Sequence, residues 1–365
     1  MRILHVFRIP VGGLFRHVRD AARGQSAQGH SVGILCDSTG GGEAATRLLE
    51  TAAPHCSLGI KRIPISRLPG LGDLSGVRQC MDHARGIRPD IIHCHGAKGG
   101  LYGRLAARAL GIASIYTPHG GSLHYRWNSA TGAAFLGAER LLARVGSGFH
   151  FVCNFERDAF DQKIGIAGKT ARVIYNGLWP EEFATAAPDA DAADFLFIGE
   201  MRKLKGVDIL LESLAALNRT RRTTACLVGD GPDLDAFKSH AQELNLSDFV
   251  HFAGRMPASQ AFRRGRMLVM PSRAESFPYV VLEACAAGVP MVASRVGGIP
   301  EILHEDLLFE PNSAAALTAC LNQALDDPDR PRAATQRTRQ RMMSELSAEA
   351  MVNDILALYR DLARN

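Results

Sequence analysis

Short apolar runs recur along the chain, and each is followed by a turn rich in glycine or polar residues. Between successive runs lie stretches long enough for a helix, so the pattern predicts alternating strands and helices. Such alternation is typical of an α/β protein with a parallel sheet that helices cover on both faces. In the first half of the chain the predicted strands are residues 2–7, 31–36, 91–95, 113–117, 149–153 and 171–174.

The alternation pauses at residues 178–193, a stretch with two prolines and many small side chains, and then restarts. A length of 365 residues also exceeds what one core usually holds. We therefore predict two doubly wound domains, over residues 1–178 and 179–345, and a final segment over 346–365. The second domain has predicted strands at 194–198, 224–228, 249–252, 267–270 and 290–293, and the final segment has a helix at 348–363.

The most informative stretch is residues 267–303, which reads as strand, polar turn, helix and strand. The turn carries Glu275 and the helix carries Glu283, and Pro278 suits the first helical turn because no N–H is needed there. In an open α/β sheet, ligands bind beyond the carboxyl ends of the strands, and a helix N-terminus attracts phosphate. Two carboxylates beside such a terminus suit a ligand with hydroxyls and a diphosphate, such as a nucleotide sugar.

The residues around these glutamates carry a family resemblance. The segments PSRAESFP, AGVPMVAS and VGGIPE closely resemble the retaining glycosyltransferases of family 4, which have the GT-B fold. The resemblance implies two Rossmann-like domains that face each other across a cleft, with the donor on the second domain and the acceptor on the first. It also implies that the last helix crosses back to the N-terminal domain.

The same resemblance implies residue roles in transferring a sugar from a UDP- or GDP-sugar. Glu283 would accept hydrogen bonds from the ribose hydroxyls, and Glu275 would hold the hydroxyls of the sugar. Ser276 and Phe277, next to Glu275, are expected to bind the donor as well. No pair of carboxylates with the spacing of a glycosidase is evident. A front-face reaction, in which the leaving phosphate takes the acceptor proton, fits that absence.

Residues 199–206 read GEMRKLKG, whereas the family usually has G-R-x5-K-G with the Arg and Lys on the diphosphate. Lys205 matches this form, but Glu200 stands where Arg is usual, and Arg202 can substitute. Fixed cations stabilise a leaving diphosphate, so we expect neither a metal nor another cofactor. Pro278 is a second departure, because the family often has a glycine there whose N–H reaches the donor sugar. The identity of the donor sugar therefore stays open.

In the first domain the resemblance points to two loops. Gly12 and Gly13 follow the first strand and are expected to face the donor phosphates and the acceptor. His119, at the end of the strand at 113–117, resembles a histidine that contacts the donor sugar, and we group it with Glu275 and Lys205 as catalytic candidates. His93 and His95 alternate onto one strand face, but no third histidine or carboxylate lies nearby in the sequence, so we predict no metal site.

Composition changes this picture little. Hydrophobic residues make up 46% and charged residues 22% of the chain, as in a soluble globular protein. No apolar run reaches the 18 residues of a membrane span, and the opening MRILHVFRIP is too short an apolar stretch for a signal peptide. Eight scattered cysteines form no C-x-x-C pair and are expected to be reduced. We expect a cytoplasmic protein without a nucleic-acid partner.

Charge is unevenly distributed. Residues 1–178 carry 22 Lys and Arg against 11 Asp and Glu, a net +11, and the remaining 20 and 26 leave the rest at −6. A basic N-terminal half can attract an anionic membrane surface. The resemblance implies that this half holds the acceptor, and bacterial members of the family commonly extend lipid-linked glycans at the inner face of the cytoplasmic membrane. We therefore hypothesise a peripheral enzyme there that acts on a lipid-linked glycan or lipopolysaccharide precursor and binds the membrane through Arg16, Arg19 and Arg23. An Arg-rich solvated surface is the alternative.

Three other functions remain to be weighed. A GT-B sugar-nucleotide epimerase would need acid and base carboxylates in the first domain, and no convincing pair is present. A sugar-nucleotide-binding protein without turnover would explain the departures at Glu200 and Pro278. A nicotinamide-dependent enzyme is disfavoured, since no G-x-G-x-x-G follows the first strand.

Overall fold

The structure is a computed structural model that describes residues 1–363, with the side chains of all of these except Ser122 and His124. The chain forms two units. Unit 1 contains Met1–Gly177 and the helix Ala348–Ala363, and unit 2 contains Leu178–Ser347. Arg364 and Asn365, the last two residues of the predicted final segment, lie outside the described residues.

Unit 1 is built around a parallel sheet of seven strands. The strands are β1 (Arg2–Val6), β2 (Ser31–Asp37), β3 (Ile60–Ile63), β4 (Ile91–His95), β5 (Ala113–Thr117), β6 (Gly148–Phe151) and β7 (Thr170–Val173). They lie in the order β3-β2-β1-β4-β5-β6-β7, so the direction of winding reverses between β1 and β4. The carboxyl ends of β1 and β4 therefore border a topological switch point, where ligands bind in such sheets.

Helices cover both faces of this sheet, which is why its strands read as continuous apolar runs. They are α1 (Gly12–Ala27), α2 (Gly42–Ala52), α3 (Gly72–Ile87), α4 (Gly96–Leu110), α5 (Ala130–Ala143) and α6 (Asn154–Lys163). Tyr102 on α4 and Phe160 on α6 are buried in the same apolar cluster as Leu4 of β1 and Ile92 of β4. The helices thus fix the sheet from which the site residues of unit 1 project.

Unit 2 repeats the arrangement with six parallel strands. These are β8 (Ala193–Ile198), β9 (Ala225–Val228), β10 (Val250–Gly254), β11 (Gly265–Met270), β12 (Met291–Ser294) and β13 (Leu308–Phe309), in the order β10-β9-β8-β11-β12-β13. The switch point lies between β8 and β11. The helices are α7 (Val207–Leu217), α8 (Leu234–Glu243), α9 (Ala258–Ala261), α10 (Tyr279–Ala286), α11 (Ile299–Ile302), α12 (Ala314–Asp326) and α13 (Asp329–Glu345).

The last helix, α14 (Ala348–Ala363), belongs to unit 1. Its apolar residues Ile355 and Leu358 pack in one cluster with Ile3, Ile91 and Ile115 of three sheet strands. Against α1, a Cβ atom at Gly24 would lie 2.6 Å from a methyl carbon of Val352, so the two helices approach closely only with glycine there. The helix therefore completes the core of unit 1.

The predicted α/β class with two doubly wound units is confirmed. Two strands that the pattern did not predict, β3 and β13, are short and lie at sheet edges, where fewer side chains are buried. The first helix begins at Gly12, within the loop that the sequence predicted, and Pro278 precedes α10 as its N-cap and is not in its first turn. Among the described helices, none is both long and apolar enough to cross a bilayer.

Candidate functional site

Two of the predicted site residues form an ion pair in unit 2. Nζ of Lys205 lies 2.6 Å from Oε1 of Glu275, and the same oxygen accepts a hydrogen bond of 2.8 Å from Oγ of Ser272. The Glu275 side chain is 10% exposed and that of Lys205 25%. A pair sheltered in this way is less screened than one at the surface. Each charge therefore helps to hold the other in place.

The sheet topology brings these residues together. Lys205 lies in the turn between β8 and α7, and Glu275 lies in the turn between β11 and α10. Because β8 and β11 are neighbours at the switch point, the two turns leave the sheet side by side. At Gly206, whose φ is +70°, a Cβ atom would lie 1.9 Å from the carbonyl oxygen of Pro271. Glycine is thus required for the close approach of the turns.

A second ion pair ties the same two turns together. Both terminal nitrogens of Arg273 donate to the carboxylate of Asp208, at 2.7 and 2.8 Å, and Nη1 also donates to the carbonyl of Lys203. Burial acts to raise the pKa of Asp208, but the hydrogen bonds and charge of Arg273 hold it below its usual value. This bidentate pair keeps the turn carrying Lys205 against the turn carrying Glu275.

The turn after β12 supports the backbone around Glu275. The N–H of Gly298 donates to the carbonyl of Ser276 at 2.7 Å. A Cβ atom at Gly297, whose φ is +59°, would lie 1.8 Å from the carbonyl oxygen of Glu275. Phe277 is buried beside this turn, at 4% exposure. Glycine at position 297 therefore allows an approach to Glu275 that a residue with a Cβ atom would block.

The remaining predicted donor residues of unit 2 differ in their settings. Glu283 is half-buried and is the fifth residue of α10. Arg202, the candidate replacement for the arginine missing at position 200, has Nη2 3.1 Å from Oε1 of Glu200. Both of these side chains are more than 40% exposed. The Arg202 side chain is therefore more exposed than that of Lys205, at 41% against 25%, which leaves Lys205 as the better sheltered cation.

In unit 1 the predicted glycines begin α1. Gly12 has a φ of +67°, and nothing lies within 4 Å of the position its Cβ would take. Gly12 and Gly13 are both exposed, so their backbone N–H groups are open to a ligand. The sequence had suggested that both glycines lie in a loop before the helix, but they lie in the helix itself.

His119 is held in an unusual backbone conformation. Its φ is +51°, a value that non-glycine residues rarely adopt. The buried carboxylate of Glu156 accepts from the N–H groups of Gly120, at 2.6 Å, and Val152, at 3.1 Å. Glu156 therefore fixes the turn that follows β5 and with it the position of His119.

His119 belongs to a cluster of imidazoles that the sequence did not predict. The cluster is formed by His5 on β1, His17 on α1, His93 and His95 on β4, His119 after β5, and His150 on β6. Ring nitrogens of His95 lie 2.9 Å from Nδ1 of His5 and 3.1 Å from Nε2 of His119. His93 and His95 thus have no third histidine near them along the chain, but the fold places others beside them in space. Parallel pairing sets His5 beside His93, a relation that spacing along the chain does not reveal.

Burial keeps this cluster uncharged near neutral pH. It lowers the pKa of His5 and of His17 to about 4 and that of His150 to about 3. The pKa values of His93, His95 and His119 are also lowered, first by desolvation and then by the neighbouring imidazoles. Neutral imidazoles can donate through one nitrogen and accept, or bind a metal, through the other.

The arginines proposed for membrane contact are largely engaged within α1. Nε of Arg16 lies 2.5 Å from Oδ2 of Asp20, and Nη2 of Arg19 lies 3.2 Å from Oδ1. The Asp20 side chain is only 2% exposed. Arg16 and Arg19 therefore neutralise a buried carboxylate, and they are less available to an external anion than the sequence suggested.

Two family models together match nearly the whole chain. The model described as "Glycosyltransferase Family 4" matches residues 11–182, and the model described as "Glycosyl transferases group 1" matches residues 180–341. The chain belongs to family 4 of the GT-B glycosyltransferases. The resemblance read from residues 267–303 is thereby confirmed, and the protein is a glycosyltransferase.

Individual relatives cover nearly the whole chain. A glycogen synthase of Mycobacterium tuberculosis is 26% identical over 98% of this chain and 94% of its own length. The structure of Anabaena HepE in complex with UDP and glucose has a TM-score of 0.85 at 21% identity, and covers 99% of this chain and 100% of that one. The lipopolysaccharide outer core galactosyltransferase WaaB has a TM-score of 0.69 at 19% identity, covering 98% and 100%. These structural likenesses establish the fold of the glycosyltransferase.

Proposed function

We propose that this glycosyltransferase moves a sugar from a UDP- or GDP-sugar to a glycan or lipid-linked acceptor, with retention at the anomeric carbon. The observation that carries the proposal is the sheltered pair of Lys205 and Glu275 beyond the carboxyl ends of β8 and β11. One partner is a cation suited to a diphosphate, and the other is an acceptor suited to sugar hydroxyls. Because the two side chains are 2.6 Å apart, the group for the diphosphate lies next to the group for the sugar.

Lys205 has the central electrostatic role in this proposal. As the bond between the sugar and the diphosphate breaks, negative charge grows on the leaving phosphate oxygen. A cation already fixed in position stabilises that charge without further reorganisation. Its ion pair with Glu275 supplies the fixed position, and the Arg273–Asp208 pair holds its turn.

Glu275 is better suited to holding hydroxyls than to attacking the sugar. Its Oε1 atom already accepts from Lys205 and Ser272, which lowers its reactivity as a nucleophile. We therefore propose a front-face reaction in which the leaving phosphate oxygen takes the proton of the acceptor hydroxyl. The new glycosidic bond then forms on the face from which the nucleoside diphosphate departs, and the configuration is retained.

Other residues keep the donor roles that the family implies. Glu283 would accept from the ribose hydroxyls, and Ser276 and Phe277 would line the donor beside Glu275. In unit 1 His119 would contact the donor sugar, and Gly12 and Gly13 would offer backbone N–H groups. The presence of UDP and glucose in the structure of HepE makes UDP-glucose the first donor to test.

We propose that transfer requires no metal ion, because Lys205 supplies the positive charge at the diphosphate. Arg202 contributes less in this account, since its side chain is 41% exposed, against 25% for Lys205, and is more strongly screened by solvent.

The acceptor is proposed to be a cell-surface glycan precursor, such as a lipid-linked or lipopolysaccharide intermediate, at the inner face of the cytoplasmic membrane. Support comes from the net charge of +11 on residues 1–178 and from the fold shared with WaaB. Flotation with liposomes of anionic lipid at low and high salt tests this point. If the protein fails to bind the liposomes at low salt but is fully active on a soluble acceptor, a role for the membrane surface is excluded.

The enzymatic proposal is tested with a panel of UDP- and GDP-sugars. Thermal unfolding identifies the donor that binds, and NMR then follows release of the nucleoside diphosphate and the anomeric configuration of the product. Retention with the stabilising donor supports the proposal, and inversion refutes the mechanism. Binding without turnover on any acceptor would favour a sugar-nucleotide-binding protein, a reading that the Glu200–Arg202 pair would then explain. Epimerised donor would indicate an epimerase.

A further inference from the structure

Three histidines of the cluster converge on one point in unit 1. They are His17, His95 and His119. Each ring offers one nitrogen, and these three nitrogens all lie within 4.8 Å of one another. Histidine nitrogens bind Zn²⁺ at about 2.0–2.1 Å, so tetrahedral ligands lie about 3.3 Å from one another. The nitrogens of His95 and His119 are already 3.1 Å apart. Small rotations of the side chains therefore bring all three to a single ion.

His17 presents a lone pair without a partner. Its Nδ1 lies 2.9 Å from Oδ1 of Asn176, an oxygen that can only accept, so Nδ1 carries the proton. Nε2 is consequently unprotonated, and it is buried without a hydrogen-bond partner among the described residues. A buried polar atom without a partner is unusual. A histidine that donates one N–H to a carbonyl oxygen and directs the other nitrogen inward has the arrangement of a metal ligand.

The protonation of His95 is set by a chain of hydrogen bonds. Nε2 of Gln25 donates to the hydroxyl of Tyr359 at 3.4 Å, which leaves Oε1 of Gln25 to accept from Nε2 of His5 at 2.9 Å. Nδ1 of His5 then accepts from Nε2 of His95, and Nδ1 of His95 is left with a lone pair directed at His119. The hydrogen bond from Nε2 of His95 to His5 thus orients the His95 ring, as the second nitrogen of a metal-bound histidine usually does.

His119 completes the set. In the metal-free state its Nε2–H donates to Nδ1 of His95, and on metal binding the proton moves to Nδ1 of the same ring. No net proton is gained or lost, because all three imidazoles are neutral before and after. His119 is also the partly exposed member of the three, which gives an ion a route to the site.

We propose that His17, His95 and His119 form a binding site for a transition-metal ion of the Zn²⁺ type. Three neutral nitrogens without a carboxylate suit Zn²⁺, Cu²⁺ or Ni²⁺ and not Mg²⁺ or Ca²⁺. A second group, His5, His93 and His95, has nitrogens within the same distance. Both nitrogens of His93 are engaged there, with the Tyr359 hydroxyl at 2.6 Å and the Thr117 hydroxyl at 2.8 Å, and all three side chains are fully buried. The first group is therefore the site.

The test is to titrate the metal-free protein with Zn²⁺ in a calorimeter, which gives the stoichiometry and affinity. Thermal unfolding with and without Zn²⁺ then gives the change in Tm. The wild type is expected to bind one equivalent with a rise in Tm. The variants His17→Gln and His119→Asn should bind at least about tenfold more weakly. Asparagine tolerates the left-handed backbone at position 119, so His119→Asn keeps the fold even where His17→Gln does not.

His150 supplies the matched control. Its ring centroid lies 5.2 Å from that of His17 and its Nδ1 is also buried without a partner, yet among the described residues it belongs to neither metal-binding group. His150→Gln should therefore bind Zn²⁺ as the wild type does. Absence of a stoichiometric site in the wild type, or equal affinity in all variants, would overturn the proposal.

One consequence rests on the proposed donor role of His119. An ion that holds His119 would withdraw it from the donor sugar, so Zn²⁺ should inhibit transfer in competition with the donor. Titrating the donor at several Zn²⁺ concentrations separates the two ideas. If Zn²⁺ binds through His17 and His119 without competing with the donor, the metal site stands and the donor role of His119 fails.

Discussion

Lys205 and Glu275 are separated by 70 residues along the chain, and their charged atoms lie 2.6 Å apart. This contact exists because β8 and β11 are neighbours in the sheet and because Gly206 lets their turns meet. It links the cation proposed for the diphosphate with the carboxylate proposed for the sugar. Removing either side chain should therefore leave the other less firmly held in position.

Lys205→Ala should lower turnover by about 100- to 1,000-fold, the usual loss when one preorganised group is removed from a developing anion. Arg202→Ala is the matched control, and it should cost less than about tenfold, because solvent screens its more exposed charge. Release of nucleoside diphosphate under saturating donor measures both. Small and equal losses in the two variants would show that the phosphates lie elsewhere.

Glu283→Gln should weaken donor binding by roughly 10- to 150-fold, because a hydrogen bond to a charged group contributes about 1.5–3 kcal/mol. A neutral amide makes weaker bonds to the ribose hydroxyls. Calorimetric titration with the donor gives the dissociation constant. Glu212→Gln, at an exposed position on α7, is the control and should bind as the wild type does. Unchanged affinity in Glu283→Gln would remove the ribose assignment.

Gly297→Ala should disturb the backbone of Glu275 and weaken the donor affinity, because the new Cβ would lie 1.8 Å from the carbonyl oxygen of Glu275. Gly254→Ala is matched in backbone strain, with a φ of +70° against +59°, but nothing lies within 4 Å of its Cβ. Both variants bear a strain of about 1–2 kcal/mol. Only Gly297→Ala should lose additional stability in urea unfolding and donor affinity in titration. Equal losses in both would mean that the contact with Glu275 is unimportant.

Transfer activity should persist in excess EDTA, because Lys205 and not a metal ion supplies the charge at the diphosphate. The assay compares initial rates of the protein as purified, with and without the chelator. Activity that disappears in EDTA and returns with Mg²⁺ or Mn²⁺ would contradict this account. A rise in rate on chelation of Zn²⁺ would agree with it, since Zn²⁺ is expected to withdraw His119.

The free energy of unfolding of unit 1 should fall as the pH drops below about 6.5, the pKa of an unfolded histidine. Burial lowers the folded pKa of His5 and His17 to about 4 and of His150 to about 3. Between these values the unfolded chain binds protons that the folded chain does not, at a cost of up to about 1.4 kcal/mol per pH unit for each histidine. Above about pH 7 the histidines no longer contribute to the pH dependence.

Urea unfolding followed by the fluorescence of Trp127, in a Trp179→Phe background, reports on unit 1. His150→Gln removes one titrating ring, so its stability should decline less steeply between pH 6 and 4 than that of the wild type. Identical slopes would show that His150 is not held neutral by the fold.

The family and the fold class were predictable because they depend on local patterns. Apolar runs separated by helical stretches indicate parallel α/β units, and α14 runs over the residues that the sequence predicted, Ala348–Ala363. Glu275, Glu283 and Lys205 stood out because each lies in a motif of adjacent residues. Edge strands such as β13 were missed, since two residues carry too little pattern to be recognised.

The sequence by itself therefore determined the class, the two units and the candidate donor residues, because these follow from periodicity and from short motifs. Only the tertiary structure decided which side chains meet. His5, His17, His119 and His150 join His93 and His95 because a parallel sheet places strands from distant parts of the chain side by side. The same topology pairs Lys205 with Glu275. Spacing along a chain carries no information on such contacts, since they depend on the order in which the strands assemble.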